Sequence, residues 1–170
     1  YYLHTVANPK TYLIDLMFEY NLSYLIAINV NTRYLFASVL NKKVGKNEAY
    51  DPRGVKTSRN IQNALSRMIA QGLQAKLFIG DEEPAFHSDS MKNFLRSLDK
   101  NLKIIKVERM RVNVQPEWVP NKQNYQTEPL HSSLGIIDRV IRTLRDMAYN
   151  AEVPKITPNV MDNLVKQYNN

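Results

Sequence analysis

The order of apolar patterns along the chain limits the folds that it can adopt. Three apolar runs rich in aromatic and β-branched residues, which are typical of β-strands, come first: Thr11–Phe18, Ser23–Asn29 and Arg33–Leu40. From residue 57 onward, helical spacing alternates with two further strand-like runs, Ala75–Gly80 and Leu102–Val107. A strand meander followed by alternating helices and strands predicts an α/β fold in which helices flank a five-stranded mixed sheet.

Four helices complete the predicted order, which is β-β-β-α-β-α-β-α-α. We expect them to start at Thr57 or Ser58, at Ser88 or Ser90, at Leu134, and at Thr157–Pro158. Two polar stretches, 41–56 and 108–133, are interpreted as loops. Neither has the composition of a linker and no internal repeat is present, so we expect residues 1–170 to form a single domain.

Composition excludes several classes of function. The chain has no cysteine and only three histidines, which rules out disulfides, thiol nucleophiles and histidine metal cages. No apolar stretch is long enough to span a membrane and no signal peptide opens the sequence, so we expect no membrane partner. Since the sequence begins with Tyr1 rather than Met, we expect a segment of a longer protein. The formal net charge of +7 favours a polyanionic partner.

Three aspartates occupy positions that suggest chemistry. Asp15 interrupts the apolar run of the first strand, where an unpaired carboxylate would be costly; alternatively, it pairs with an arginine or caps a turn. Asp81 directly follows the fourth strand, at a sheet edge that commonly carries active sites, although an ordinary turn aspartate would occupy the same place. Asp138 lies among apolar residues of the third helix, and its alternative interpretation is a solvated helix face.

Acids on the first strand, at the end of the fourth strand and on a later helix are able to converge on one point. Oxygen ligands without histidine or cysteine select Mg²⁺ or Mn²⁺. A cluster of Asp15, Asp81 and Asp138 therefore suits two metal ions that assist in-line displacement at a phosphodiester.

Five segments of the chain together form a recognisable motif pattern: YLIDL at 12–16, INVNTRYLFASVL at 28–40, IGDEEPAF at 79–86, GIIDR at 135–139 and LVKQYN at 164–169. These segments resemble motifs of one protein family, the catalytic cores of retroviral-type integrases within the RNase H-like superfamily of DDE recombinases. The longer run GIIDRVIRTLRDM also resembles the integrases of Maverick/Polinton elements. By this resemblance, Asp15, Asp81 and Asp138 are the three catalytic and metal-binding acids.

The resemblance implies an RNase H-like fold and the activity of a DNA integrase core. This activity is metal-dependent cleavage at the ends of an element's DNA, followed by transfer of the 3′-OH into target DNA. The resemblance also implies two Mg²⁺ or Mn²⁺ ions, double-stranded DNA as partner, and dimers or higher oligomers. It places the protein in the host nucleus, or in a virion or nucleoprotein complex. Two alternatives stay open: an RNase H-like nuclease or cut-and-paste transposase, and a non-catalytic DNA-binding or assembly domain of the same fold.

Two departures from the family pattern bear on activity. Glu83 stands where the family has glycine, and Asp138 stands where it has glutamate. Related transposases with three aspartates are active, so Asp138 by itself does not imply inactivity. These two residues keep the non-catalytic alternative open.

The third acid of the predicted triad has a competitor. Asp138 follows Asp81 by 57 residues, whereas Glu117 has the spacing familiar in the family. Glu117 is flanked by Pro116 and Pro120 and lacks the helical motif context, so we predict Asp138 as the ligand.

Three arginines follow Asp138 and are candidate DNA contacts. They are Arg139, Arg142 and Arg145, of which the last two share the helix face of Asp138. Phosphate binding needs such cations near the acids. The alternative interpretation is a solvated face on which the arginines pair with Asp146.

We expect the last two helices to carry more apolar side chains than a single sheet face needs. Excess apolar surface on such a domain often marks a subunit interface, which predicts self-association. The residues concerned are Ile136, Ile137, Val140, Ile141, Leu144 and Met147 on one helix and Met161, Leu164, Val165 and Tyr168 on the other.

Overall fold

The computed structural model describes residues 9–19, 22–40, 57–107 and 128–170, with side chains in the last range from residue 134 onward. The predicted loop 41–56 and Glu117 lie outside these residues, as does most of the predicted loop 108–133. All three candidate aspartates and all three candidate arginines lie within them.

Within the described residues, five strands form one mixed sheet. They are β1 (Thr11–Glu19), β2 (Leu22–Asn29), β3 (Leu35–Val39), β4 (Leu77–Gly80) and β5 (Lys103–Lys106). The strand order is β3-β2-β1-β4-β5. The pairs β1–β2 and β2–β3 are antiparallel, whereas β1–β4 and β4–β5 are parallel. The predicted five-stranded mixed sheet is therefore confirmed, with β1 as its central strand.

Helices cover both faces of the sheet. They are α1 (Ser58–Ala70), α2 (Asp89–Leu98), α3 (Glu128–Asn150) and α4 (Pro158–Asn169), and a single 3₁₀ turn spans Pro84–Phe86. Hydroxyl side chains cap three of the helices at their amino ends, where backbone N–H groups have no helical partner: Thr57, Ser88 and Thr157. No described helix is long and apolar enough to cross a membrane.

Several element boundaries differ by one or two residues from the sequence-based prediction, and the start of α3 differs by more. Helix α3 begins at Glu128 rather than Leu134, so residues 128–133 are helical instead of irregular. Pro129 does not prevent this, because a proline in the first helical turn lacks only an N–H that would have no partner there. Strand β3 begins at Leu35 rather than Arg33, because Arg33 has a φ of 62°, a left-handed conformation that a strand does not contain.

The sheet separates two hydrophobic cores. Helices α3 and α4 pack on one face, and α1 and α2 pack on the other. Because side chains alternate along a strand, Leu13 and Met17 of β1 enter the α3/α4 core, whereas Ile14 and Leu16 enter the α1/α2 core. Asp15 has the parity of Leu13 and Met17, so the sheet directs it to the α3/α4 face.

The apolar residues of α3 and α4 do not form an exposed surface. Most are buried in the core against the sheet: Ile136, Ile137, Val140, Ile141, Leu144, Met161 and Leu164. Met147, Val165 and Tyr168 are partly buried and pack against the same core. The expected excess of apolar surface is therefore not present, because two helices that share one sheet face need these side chains to fill the layer between. Self-association itself stays a prediction.

Side chains from two helices cover the outer edge of β3. Leu35 donates its N–H to Oδ1 of Asn169 at 2.8 Å, and Nδ2 of Asn169 donates to the Leu35 carbonyl at 2.9 Å. The guanidinium of Arg67 donates to Oγ of Ser38 at 2.8 Å and to the carbonyl of Val39. The bonds to the backbone of Leu35 and Val39 take places that a further strand would otherwise fill.

Candidate nucleic-acid and metal site

An open cleft of about 440 Å³ lies between the second half of β1 and helix α3. Its lining residues are Asp15, Leu16, Phe18, Asp138, Ile141, Arg142, Arg145 and Asp146. The structure therefore brings together two of the three candidate aspartates and two of the three candidate arginines.

Asp15 is a buried acid on the central strand. It is 8% exposed, and its neighbour across the antiparallel ladder is Ile26 of β2. Its Oδ1 accepts a hydrogen bond from the N–H of Leu16 at 2.8 Å. Strand pairing fixes the backbone of Asp15, so its carboxylate enters the cleft from a rigid support.

Asp81 stands at the end of β4, beside Asp15 in the sheet. In the parallel register of β1 and β4, Asp15 and Asp81 each directly follow a paired residue. Oδ1 of Asp81 accepts from the N–H of Glu83 at 3.1 Å, and the Asp81 carbonyl oxygen lies 2.6 Å from Nε2 of His87. Asp81 therefore takes part in a turn, as the alternative interpretation expects, and it is not among the residues that line the cleft.

Asp138 reaches the cleft from α3, the helix that packs over β1 and β2. Its side chain is half-buried, whereas the adjacent Arg139 is exposed. A Cβ added to Gly135 would lie 3.7 Å from Nη1 of Arg139, so this guanidinium folds back along its own helix. Arg139 is not one of the residues that line the cleft.

The donors at the cleft suit a hard divalent cation, but their arrangement is incomplete. Carboxylate oxygens such as those of Asp15 and Asp138 are the ligands that Mg²⁺ and Mn²⁺ prefer. In the part of the chain that the structure describes, no group of three or more His, Asp and Glu side chains lies close enough to hold a metal ion. The structure thus places two of the three candidate acids, Asp15 and Asp138, in one cleft and the third, Asp81, at the neighbouring strand end.

The two arginines of the cleft are exposed on α3. Nε of Arg145 donates to Oε1 of Glu19 at 3.0 Å, and its Nη2 donates to the carbonyl of Phe18 at 2.9 Å. Among the described residues, Arg145 thus bonds to the end of β1 and not to Asp146, which the solvated-face interpretation had named as its partner. The cations and the acids of the cleft are held by the same two elements, β1 and α3.

Sequence reasoning missed two residues that shape this region. Glu19 pairs with Arg145, which is 126 residues away, so no local pattern links them. His87 binds the Asp81 carbonyl only six residues along. The proline at position 84 indicates a turn after Asp81. Such a turn is the sequence signal that a following side chain, here that of His87, folds back towards Asp81.

Comparison with known proteins gives a result for structure and none for sequence. No protein-family model matches the chain, and no curated protein matches it. The likeness therefore rests on the arrangement of the elements.

Several solved structures share this arrangement. The catalytic core domain of BIV integrase matches with a TM-score of 0.57 and 13% identity over 95% of this chain and 82% of that chain. The HTLV-2 integrase catalytic core domain in complex with magnesium, in a dimeric form, matches with a TM-score of 0.56 and 14% identity over 95% and 83%. A chain of the simian T-cell lymphotropic virus intasome in complex with PP2A regulatory subunit B56 gamma matches with a TM-score of 0.58 and 15% identity over 95% and 47%. The chain thus has the RNase H-like fold of retroviral integrase catalytic cores.

Proposed function

We propose that this chain is the catalytic core of a DNA integrase, which cleaves phosphodiesters at the ends of an element's DNA and transfers the 3′-OH into target DNA. One observation carries the proposal: Asp15 and Asp138 lie in the same cleft as Arg142 and Arg145. Phosphoryl transfer needs acids that hold metal ions and groups that position the phosphates, and the cleft offers both.

Each residue of the proposed site has a physical task. Arg142 and Arg145 bind phosphates and direct a DNA strand along α3. Asp15, on its paired strand, gives a carboxylate whose position does not depend on a loop. Asp15, Asp81 and Asp138 would hold a pair of Mg²⁺ or Mn²⁺ ions, which would supply Lewis acidity for the displacement. Arg139 adds a phosphate contact outside the cleft.

The proposal extends to assembly and location. Double-stranded DNA is the partner, and joining two DNA ends in one event requires more than one copy of the core. The dimeric HTLV-2 core and the simian virus intasome among the similar structures support this part of the proposal. The host nucleus, or a virion or nucleoprotein complex, is the proposed location, and a Maverick/Polinton-type element is the proposed source.

Strand transfer by the full-length protein tests the proposal. Asp138→Asn should abolish Mg²⁺-dependent strand transfer, because it removes a carboxylate ligand from the cleft. Asp146→Asn is a matched control, since it removes the same charge from the same helix and cleft, and it should retain most of the activity. Glu117→Gln should also retain most of it. The measurement is recovery of joined products from labelled terminal DNA.

Each result of this assay has a defined meaning. Activity that survives Asp138→Asn but is lost in Glu117→Gln would show that spacing, not the helical motif, identifies the third acid. Cleavage by the unmodified protein without joined products would favour the alternative of an RNase H-like nuclease. Absence of any metal-dependent product would contradict every enzymatic interpretation of the chain.

A second candidate, a non-catalytic DNA-binding or assembly domain, is favoured by the hydrogen bond that Asp81 makes within its own turn. Its carboxylate accepts the N–H of Glu83, the residue that replaces the family's glycine. The described residues also contain no three-acid group at metal-binding distance. This candidate predicts that the unmodified core binds DNA but forms no metal-dependent product. Asp138→Asn would then have no activity to remove.

A further inference from the structure

Arg145 is held at two points by the end of β1. Its Nε donates to Oε1 of Glu19 at 3.0 Å, and its Nη2 donates to the carbonyl of Phe18 at 2.9 Å. These bonds connect α3 to the strand that carries Asp15. The side chain of Arg145 is 49% exposed and that of Glu19 is 22% exposed, so Glu19 is the more covered partner.

The pattern of these bonds leaves one edge of the guanidinium unused by them. An arginine has five N–H donors in a planar fork. Nε and Nη2 form its side edge, and both face the end of β1. The end edge, made by Nη1 and the second hydrogen of Nη2, takes no part in these bonds. Such an edge binds two oxygens of one phosphate in a bidentate manner.

A carboxylate beside a DNA-binding arginine has two opposite effects. It repels phosphates and competes with them for the guanidinium, which weakens binding. It also fixes a long, flexible side chain in one orientation, so that less entropy is lost when a phosphate binds. Within the described ranges, the bonds of Arg145 to Glu19 and the Phe18 carbonyl use only the side edge of the guanidinium. This favours the second effect, because these bonds leave the end edge to a phosphate.

We propose that Glu19 is a positioning residue for DNA: it fixes Arg145 through the side edge of the guanidinium so that the end edge meets a phosphate in the cleft. The inference rests on the proposed function, since it requires that DNA occupies this cleft. It adds a residue that neither the motif pattern nor the helix face of Asp138 identifies.

Binding of the core to a labelled DNA duplex between about 50 and 200 mM salt tests this inference. Glu19→Ala should weaken binding several-fold, although it removes a negative charge, and should lower the salt slope by about 0.9, which is the contribution of one phosphate contact. Glu19→Gln keeps an acceptor oxygen for Nε and should restore binding. Asp146→Ala removes a carboxylate from the same cleft without a bond to Arg145, so it should leave binding equal or tighter.

A double-mutant cycle separates positioning from general electrostatics. Arg145→Ala should weaken binding at least as much as Glu19→Ala. In the Arg145→Ala background, Glu19→Ala should cause no further loss, because Glu19 acts through Arg145. A thermal unfolding transition for each variant confirms that the fold is retained.

Two results would overturn the inference, and they differ from each other. If the unmodified core binds DNA and Glu19→Ala leaves the affinity unchanged or tighter, Glu19 does not position Arg145, while the proposed function stands. If the unmodified core shows no salt-dependent DNA binding, both the inference and the proposed DNA cleft are wrong.

Discussion

Two glycines near the candidate site differ in the space around them. A Cβ at Gly80 would lie 3.0 Å from Cδ2 of Phe86 and 3.4 Å from Cγ1 of Ile14, whereas one at Gly135 would meet only Nη1 of Arg139 at 3.7 Å. We expect Gly80→Ala to destabilise the protein by about 1–3 kcal/mol through crowding. Gly135→Ala should stabilise it by up to about 1 kcal/mol, because alanine is the better helix former. Denaturant unfolding measures both changes, and equal signs would contradict this account.

Single residues were predictable where they lie on one helix. Helical spacing places Arg142 and Arg145 on the face of Asp138, and the structure brings these three residues to one cleft with Asp15. The bond between Arg145 and Glu19 was not predictable, because it depends on how α3 crosses the end of β1. The metal-binding role of the aspartates stays a prediction.

The edge strand β3 shows what one helix end does for a sheet. The carboxamide of Asn169 supplies both an acceptor and a donor to Leu35, as a paired strand residue would. We expect Asn169→Ala to expose this edge and to increase concentration-dependent association, because open strand edges pair with other chains. Light scattering after gel filtration measures the effect. Asn163→Ala, an exposed position on the same helix, is the control and should behave as the unmodified protein; equal association in both variants would contradict the role of Asn169.

Helices were predicted well where a capping residue directly precedes apolar residues at helical spacing. Thr57, Ser88 and Thr157 all cap the helices that the sequence assigns to them. The start of α3 was missed because the proline at position 129 suggested a loop, although it lies in a first turn where proline is favourable. The start of β3 was missed because the left-handed conformation of Arg33 has no signal in the residue type.

The packing of α3 and α4 against the sheet is testable through the stability of the whole protein. Leu144 is fully buried between α3 and the sheet. Leu144→Ala should lower the free energy of unfolding by about 2–5 kcal/mol, the usual cost of such a truncation in a core. Any dependence of the denaturation midpoint on protein concentration should be the same in this variant as in the unmodified protein. A dependence that is lost only in Leu144→Ala would show that this helix face is an interface between copies instead.

The order of patterns along the chain was sufficient to predict the architecture, because hairpins and strand–helix–strand units allow few sheet topologies. The predicted mixed sheet is confirmed, and the fold is similar to that of the BIV integrase catalytic core domain. The excess of apolar surface expected on α3 and α4 is absent because the amount of apolar surface that a sheet face covers is a property of the packed layers. Counting apolar residues along two helices does not measure it.

The central position of β1 also has a consequence for how such a chain changes over evolutionary time. On one face, Tyr12 and Ile14 pack in the α1/α2 core and do not line the candidate cleft, whereas the other face serves both the α3/α4 core and the cleft, which Leu16 also lines. We expect substitutions at Tyr12 and Ile14 to be filtered only through stability and therefore to accumulate in compensating sets of similar volume. Substitutions on the other face must preserve both the packing of the α3/α4 core and the candidate cleft. Sequence likeness then fades faster on one side of the sheet than on the other, while the order of strands persists.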